Sequence, residues 1–102
     1  MKTGIELIAI ERQEQIEKHG RTIEQDVELN SDHGQLQEAG YNLIGKEWLY
    51  AQDEEETCPI GWDQNIWNKM FNKRYKERLI IAGALIAAEI DRLNYLKQDS
   101  EK

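Results

Sequence analysis

The chain has 102 residues, 39% hydrophobic and 32% charged, with a formal net charge of −7 and a pI near 4.8. The length is one domain's worth. The charge argues against direct coating of nucleic acid or binding to an anionic membrane, because both need clustered Lys and Arg. A single cysteine, Cys58, allows no internal disulfide and no multi-cysteine zinc site, which fits a reducing cytoplasm.

The first segment, MKTGIELIAIERQEQIEKHG, has a short apolar stretch broken by Glu6 and Glu11, and carries no signal-peptide pattern. Thr3-Gly-Ile-Glu6 reads as a capping box. It opens a helix that runs to about Lys18 and stops at Gly20. Ile5, Ile8, Ala9 and Ile16 share one face of it, with Arg12 at the centre. The stretch RTIEQDVELNSD is polar and free of Pro and Gly; it reads as a loop that could hold one helical turn. Ser31 or Asp32 then caps a second helix, His33 to about Ile44, with Leu36, Ala39, Gly40 and Leu43 facing inward. Gly45 ends it, although KEWLYAQ could continue as another turn.

DEEETCPIG is the clearest loop: four consecutive acids repel one another, and Pro59 and Gly61 punctuate the chain. WDQNIWNKMF sets Trp62, Ile66, Trp67 and Met70 at helical spacing, as a short helix or a folded-back loop packed on the bundle. Asn72 can cap the last helix, which runs to about Lys97 and is roughly 37 Å long at 1.5 Å per residue. The tail 98–102 frays.

Within that helix, Leu79 to Ala88 is unbroken by charge. A membrane helix needs about 20 apolar residues, so this is a core helix. It is apolar nearly all round, so neighbours must cover most of its sides. Ala82, Gly83, Ala84, Ala87 and Ala88 let another backbone approach closely. They predict a close crossing, and a homodimer or higher symmetric oligomer packed partly through this small-residue face. The fold class is all-α: one domain over 1–102, a small bundle of three to four helices with a long, mostly buried C-terminal helix.

Glu11 and Glu14, like Glu14 and Glu17, have the spacing that can hold Mg²⁺, but in so acidic a chain a solvated face explains them. Glu89 differs. It falls beside Leu85, Ile86 and Leu93, on the same side as Arg78, and a buried carboxylate needs a partner. Arg12 is the natural one. The two form either a structural pair between first and last helices, or a polar site where Arg12 meets a phosphate and Glu89 a metal. Trp48, Trp62 and Trp67 are core anchors or, beside a polar pocket, surfaces for a base to stack on. Cys58 with His19 or His33 makes a poor nucleophilic pair, and no glycine-rich phosphate loop is present.

ERQEQI, then an acidic segment with Thr22 and Asp26, then HGQLQEA, GW-x(4)-W and RLIIAGALIAAEIDRL resemble a family of small phage and prophage proteins. That pattern is in turn similar to the all-α MazG-like nucleotide pyrophosphohydrolases, which use helix-borne carboxylates, Mg²⁺ and nucleoside triphosphates. The resemblance spans most of the chain and is strongest in the last segment. Glu11, Arg12, Gln15, Asp26, Trp62, Trp67, Glu89 and Arg92 match the pattern. Gln35 stands where the family has Glu, Arg21 where it has Trp, and Gln25-Asp26 where it has His-Asp. Glu38 is nearby but opposes the Leu36 face. These departures weaken hydrolysis more than nucleotide binding.

Two functions are therefore expected. The first is a phage-type helical protein, in the host cytoplasm, that binds a nucleotide or nucleotide-derived molecule in a bundle pocket. Arg12 and Arg92 would serve the ligand, Trp62 or Trp67 would cover a base, and Glu11 and Glu89 would hold Mg²⁺, with any catalysis that of a pyrophosphohydrolase. The second is an acidic protein that inhibits a host defence factor through protein contacts.

Overall fold

The computed structural model describes residues 1–20, 22–30, 32–46 and 53–100, with side chains to residue 97. Among the described residues all regular structure is helical: α1 (Gly4–His19), α2 (Ile23–Leu29), α3 (Gln35–Gly45), α4 (Glu54–Thr57), α5 (Gln64–Phe71) and α6 (Tyr75–Ser100). The expected all-α class stands, but with six helices instead of three or four. The extra ones lie in segments whose sequence reads as loop.

The helix α2 is capped by Thr22, whose Oγ1 accepts the Gln25 N–H at 3.2 Å. The residue it buries is Asp26. A helix that buries a carboxylate has no hydrophobic period to read. The acidic run forms α4 because Asp53 caps it, accepting the Glu56 N–H at 2.8 Å. Glu54, Glu55 and Glu56 fill the first turn, where the helix dipole favours negative charge. The acidic run thus has a local structural reason.

In α1 the capping box forms as expected, with Glu6 N–H on Thr3 Oγ1 and Thr3 N–H on Glu6 Oε1. The helix stops at Gly20, whose φ of 64° suits a residue without a Cβ. The predicted inward face is corrected in part: Arg12 at its centre is buried, with Gln15 beside it, and Ile8 and Ile16 are half-buried, but Ile5 is 82% exposed and Ala9 is exposed. The helix turns a polar stripe inward because it meets Asp91 of α6, which accepts a bond from Arg12.

The predicted start of α3 also moves. His33 lies outside the helix, which begins at Gln35 after Gly34 in the left-handed region. Asp32 instead accepts a bond from Gln35 Nε2 at 3.0 Å, which holds its carboxyl below the usual range. Ser31, and the further turn that 47–52 could form with Trp48, lie outside the described residues. Leu36, Ala39, Gly40 and Leu43 are buried, as their spacing requires.

WDQNIWNKMF is a helix rather than a folded-back loop. Asp63 caps it, accepting the Ile66 N–H at 3.0 Å. Trp67 stacks on Phe71 with centroids 5.7 Å apart, and Trp62 meets Trp67 edge-on at 6.0 Å. Asn72 closes α5, donating its N–H to the Asn68 carbonyl, and does not open α6. The last helix starts at Tyr75 and extends through residues 98–100, beyond the expected Lys97.

Against α6 pack α1, α2, α3 and α5. The core joins Leu36 and Leu43 of α3, Trp67 and Phe71 of α5, and Ala82, Leu85 and Ala88 of α6. Arg78 is fully inside, donating from Nη1 to the Leu43 carbonyl at 2.8 Å. That satisfies a last-turn carbonyl of α3 that its own helix leaves open.

The small-residue face of α6 is spent within the chain. Ala82, Ala84 and Ala88 lie in the core, at 1% exposure or less. A Cβ on Gly83 would sit 2.6 Å from Ile8 Cδ1, so the close crossing is between α6 and α1. Among the described residues the other side of α6 is only partly covered: Ile86, Ile90 and Leu93 are each about half exposed. Among the described residues no helix is long and apolar enough to cross a membrane.

Candidate functional site

Buried polar side chains rival the apolar core in this chain. Arg12, Gln15, Asp26, Asn30, Gln35, Asn42, Thr57, Arg78 and Arg92 all lie inside. Three of these nine, Arg92, Asp26 and Asn30, lie along one path. Arg92 grips Glu89 through two bonds, Nε to Oε1 at 2.5 Å and Nη2 to Oε2 at 3.1 Å. The Glu89 bond, followed by the charges of Glu89 and Asp26, raises the Arg92 pKa above its ordinary value. Asp26 Oδ1 accepts from Asn30 Nδ2 at 2.9 Å. Asn30 Oδ1 then accepts the indole N–H of Trp62 at 2.7 Å. The charge of Asp26 on α2 thus acts on Arg92 of α6, and through Asn30 the same carboxylate is linked to an aromatic ring in the turn before α5.

That ring forms a wall of a cleft of about 220 Å³. Gln25, Asp26, Leu29 and Asn30 supply the α2 side; Gly61, Trp62 and Asp63 supply the turn; His19 and Ile66 close the ends. Asp26 is 1% exposed and is held by the bond from Asn30, while Gln25 is an exposed amide of the same cleft. The cleft offers an indole face, amide and carboxylate hydrogen-bonding groups, and an imidazole at the rim. Gly61 has φ 84°, a conformation that glycine adopts without strain. This lets the chain turn tightly enough to bring Trp62 back over α2.

Of the residues singled out by sequence, Trp62 and Asp26 come to the cleft. Trp67 does not: it is fully buried, with its indole N–H on Thr57 Oγ1 at 3.0 Å, so no ligand can reach its ring. Arg12 is 8% exposed and bonded to Asp91 at 3.3 Å. Arg92 is bound to Glu89, and neither arginine lines the cleft. The predicted Arg12–Glu89 pair is corrected on both sides. Glu89 is indeed mostly buried, at 19% side-chain exposure, but its partner is Arg92, three residues along the same helix.

The two carboxylates expected to hold Mg²⁺ do not fit it. Glu89 has both oxygens on a guanidinium, and Glu11 accepts a long bond from Gln15 at 3.4 Å. Among the described residues no three His, Cys, Asp or Glu side chains gather to hold a metal ion. Cys58 is partly buried and its thiol pKa is raised, by burial and then by the charges of Asp63 and Glu38. That is the opposite of an activated nucleophile.

Asn30 is the residue of the candidate site that sequence reasoning misses. Its signal is the spacing Asp26-x₃-Asn30, which stacks two polar side chains on one helical face. Asn42 and Thr57 are the structural counterparts, joining α3 to α4 through Asn42 Nδ2 and the Thr57 carbonyl at 3.1 Å. No family model matches the chain, and neither does any curated protein or solved structure.

Proposed function

We propose that the chain binds a nucleoside-like small molecule, a base or a lightly phosphorylated nucleotide derivative, in the cleft beside Trp62. The observation that carries this is the fixed indole: Trp62 is anchored by its N–H on Asn30 Oδ1 at 2.7 Å and lines one cleft with the amide of Gln25 and the carboxylates of Asp26 and Asp63. Stacking on an aromatic ring contributes about 1–3 kcal/mol per base. Amides and carboxylates suit the amino and ring N–H donors of a base.

The cleft's size and charge narrow the ligand. At about 220 Å³ it is below the roughly 300–1,000 Å³ of drug-sized sites, so it takes a base and leaves the sugar at the mouth. Asp26 and Asp63 oppose a polyphosphate, while His19 at the rim can donate to a single phosphate oxygen. Neither arginine expected to bind phosphate lines the cleft, and the carboxylates suit no Mg²⁺. The reading is therefore binding without triphosphate hydrolysis. The alternative, an acidic inhibitor of a host protein, has less support, because the acidic run is accounted for by the capped first turn of α4.

Titration calorimetry and tryptophan fluorescence against nucleosides, nucleoside monophosphates, cyclic nucleotides and triphosphates, with and without Mg²⁺, test this. Saturable binding that is strongest for the least charged members is expected. It should be lost in Trp62→Ala and weakened in Gln25→Ala, whose side chain is exposed and carries no fold contact. A ligand at about 100 times its Kd should raise stability by about 2.7 kcal/mol. No saturable binding by any member, or binding that survives Trp62→Ala, overturns the reading.

A further inference from the structure

The uncovered side of α6 is a regular stripe. Leu79, Ile86 and Leu93 are exposed at intervals of seven residues, with Ile90 between the last two. Seven residues bring a helix back to nearly the same face, so the three side chains form one straight ridge. Beside it α3 contributes Tyr41 and Ile44, and the groove between the two helices, about 420 Å³, is lined almost wholly by apolar groups. We infer that this face is the contact between two copies of the chain, with the two α6 helices antiparallel across a two-fold axis near Ile86.

Three observations select a second copy as the occupant. The first is symmetry. The ridge is its own complement under a two-fold axis: Leu79 meets the partner's Leu93, and Ile86 meets the partner's Ile86. A two-fold contact requires that kind of self-complementarity.

The second is charge. A chain with net charge −7 repels its copy across most of its surface. On the α3–α6 groove the lining acid is Glu89, and Arg92 neutralises it. The acidic charge is held away from the one face where a like-charged chain would have to dock.

The third is area. Tyr41 is 63% exposed, and Ile86, Ile90 and Leu93 each about half. Together with Ile44 and Leu79 they expose on the order of 500 Å² of apolar surface, near the upper end for the largest patch on a monomer. With a polar rim that approaches the roughly 800 Å² per partner of a stable complex.

The contact is independent of the Trp62 cleft, which lies on α2 and the turn before α5. Light scattering and sedimentation of the full chain should give twice 12.0 kDa at tens of micromolar. Ile86→Glu and Ile90→Glu, each at an exposed position, should give a monomer with an unchanged circular dichroism spectrum. Ile66→Glu, an exposed apolar residue on α5, should leave the dimer intact. In a Cys58→Ala background, Ile86→Cys should form an intermolecular disulfide under mild oxidation. A monomer at all these concentrations overturns the inference, including one whose groove captures a foreign amphipathic peptide. A dimer that persists in Ile86→Glu and Ile90→Glu overturns the assigned face. A dimer lost in those variants but not crosslinked by Ile86→Cys overturns the antiparallel two-fold arrangement.

Discussion

Glu89 and Arg92 hold each other within α6, at 19% and 11% side-chain exposure, by two bonds across one helical turn. A pair on one helix needs no second element to position it, so it is already in place as α6 forms. Its guanidinium also carries the charge that compensates Asp26 of α2. This links a local pair to the docking of a helix that has little apolar surface of its own.

Arg92→Met should therefore destabilise the protein by about 3–5 kcal/mol, since it strands Glu89 and removes the positive charge facing Asp26. Glu89→Gln should cost far less, because the amide still offers an oxygen to the guanidinium. Urea unfolding of both variants checks the order. If Arg92→Met melts at the wild-type midpoint, the pair does not support the fold.

Gly83 answers to Ile8. A Cβ there would approach Ile8 Cδ1 and Cγ1 to 2.6 and 2.8 Å. Gly83→Ala gains about 1 kcal/mol of helix propensity, but overpacking costs about 1–3 kcal/mol, so a net loss near 1 kcal/mol is expected. In an Ile8→Ala background the clash is gone, and the same substitution should stabilise. A double-mutant cycle by chemical denaturation reads the sign change; equal effects in both backgrounds would show that α1 yields freely.

The part of this fold that was legible in sequence is the part built on apolar spacing. Leu36, Ala39, Gly40 and Leu43 name the inward face of α3, and the long C-terminal helix is plain from its uninterrupted run. The helices that were not legible, α2 and α4, are held by side-chain caps and by buried polar groups, Asp26 and Thr57, which give no hydrophobic period. The same reason blurs the inner face of α1: Arg12 was legible at its centre, but buried Gln15 was not, and Ile5 and Ala9, which share the apolar spacing, are exposed. For the candidate site, Trp62 was legible as an aromatic near a polar segment. Its anchor Asn30 was not, since nothing in a single sequence says that a carboxamide on a short helix meets an indole 32 residues away. The exposed Leu79–Ile86–Leu93 ridge was hidden for the converse reason. An apolar run reads as buried whether its cover is the same chain or another.

Acid should loosen the start of α1. The backbone and side chain of Thr3 lower the Glu6 pKa below its ordinary 4.5. A depressed carboxylate contributes stability that is complete above the unfolded value and is lost as pH falls through the lower folded value. Asp32, lowered chiefly by its bond from Gln35, acts in the same direction. Between about pH 6 and pH 3 the wild-type Tm should fall more steeply than that of Glu6→Gln. The two curves should converge at the acid end. Parallel curves over that range would mean that the capping box carries no charge-dependent stability.

The most demanding of the buried polar contacts is that between Thr57 and Trp67. The indole is fully buried, and its N–H reaches Thr57 Oγ1 at 3.0 Å, while the same hydroxyl donates to the Asp53 carbonyl at 2.6 Å. One hydroxyl thus ties the largest core side chain to the cap of α4. Thr57→Val keeps the volume and removes both bonds, leaving an indole N–H in the core without its acceptor. The expected loss is about 1–3 kcal/mol. Thr57→Ser keeps the hydroxyl and removes one methyl, for a loss of about 0.8 kcal/mol. Trp67→Phe in the Thr57→Val background removes the stranded N–H, so the double variant should lose less than the sum of the two single variants. Guanidinium unfolding of the four proteins gives the cycle. A Thr57→Val variant as stable as Thr57→Ser, with strictly additive effects, would mean that the hydroxyl does not hold the indole and that α4 is held by its other ties, Asn42 on the Thr57 carbonyl and Gln64 on the Glu54 carbonyl.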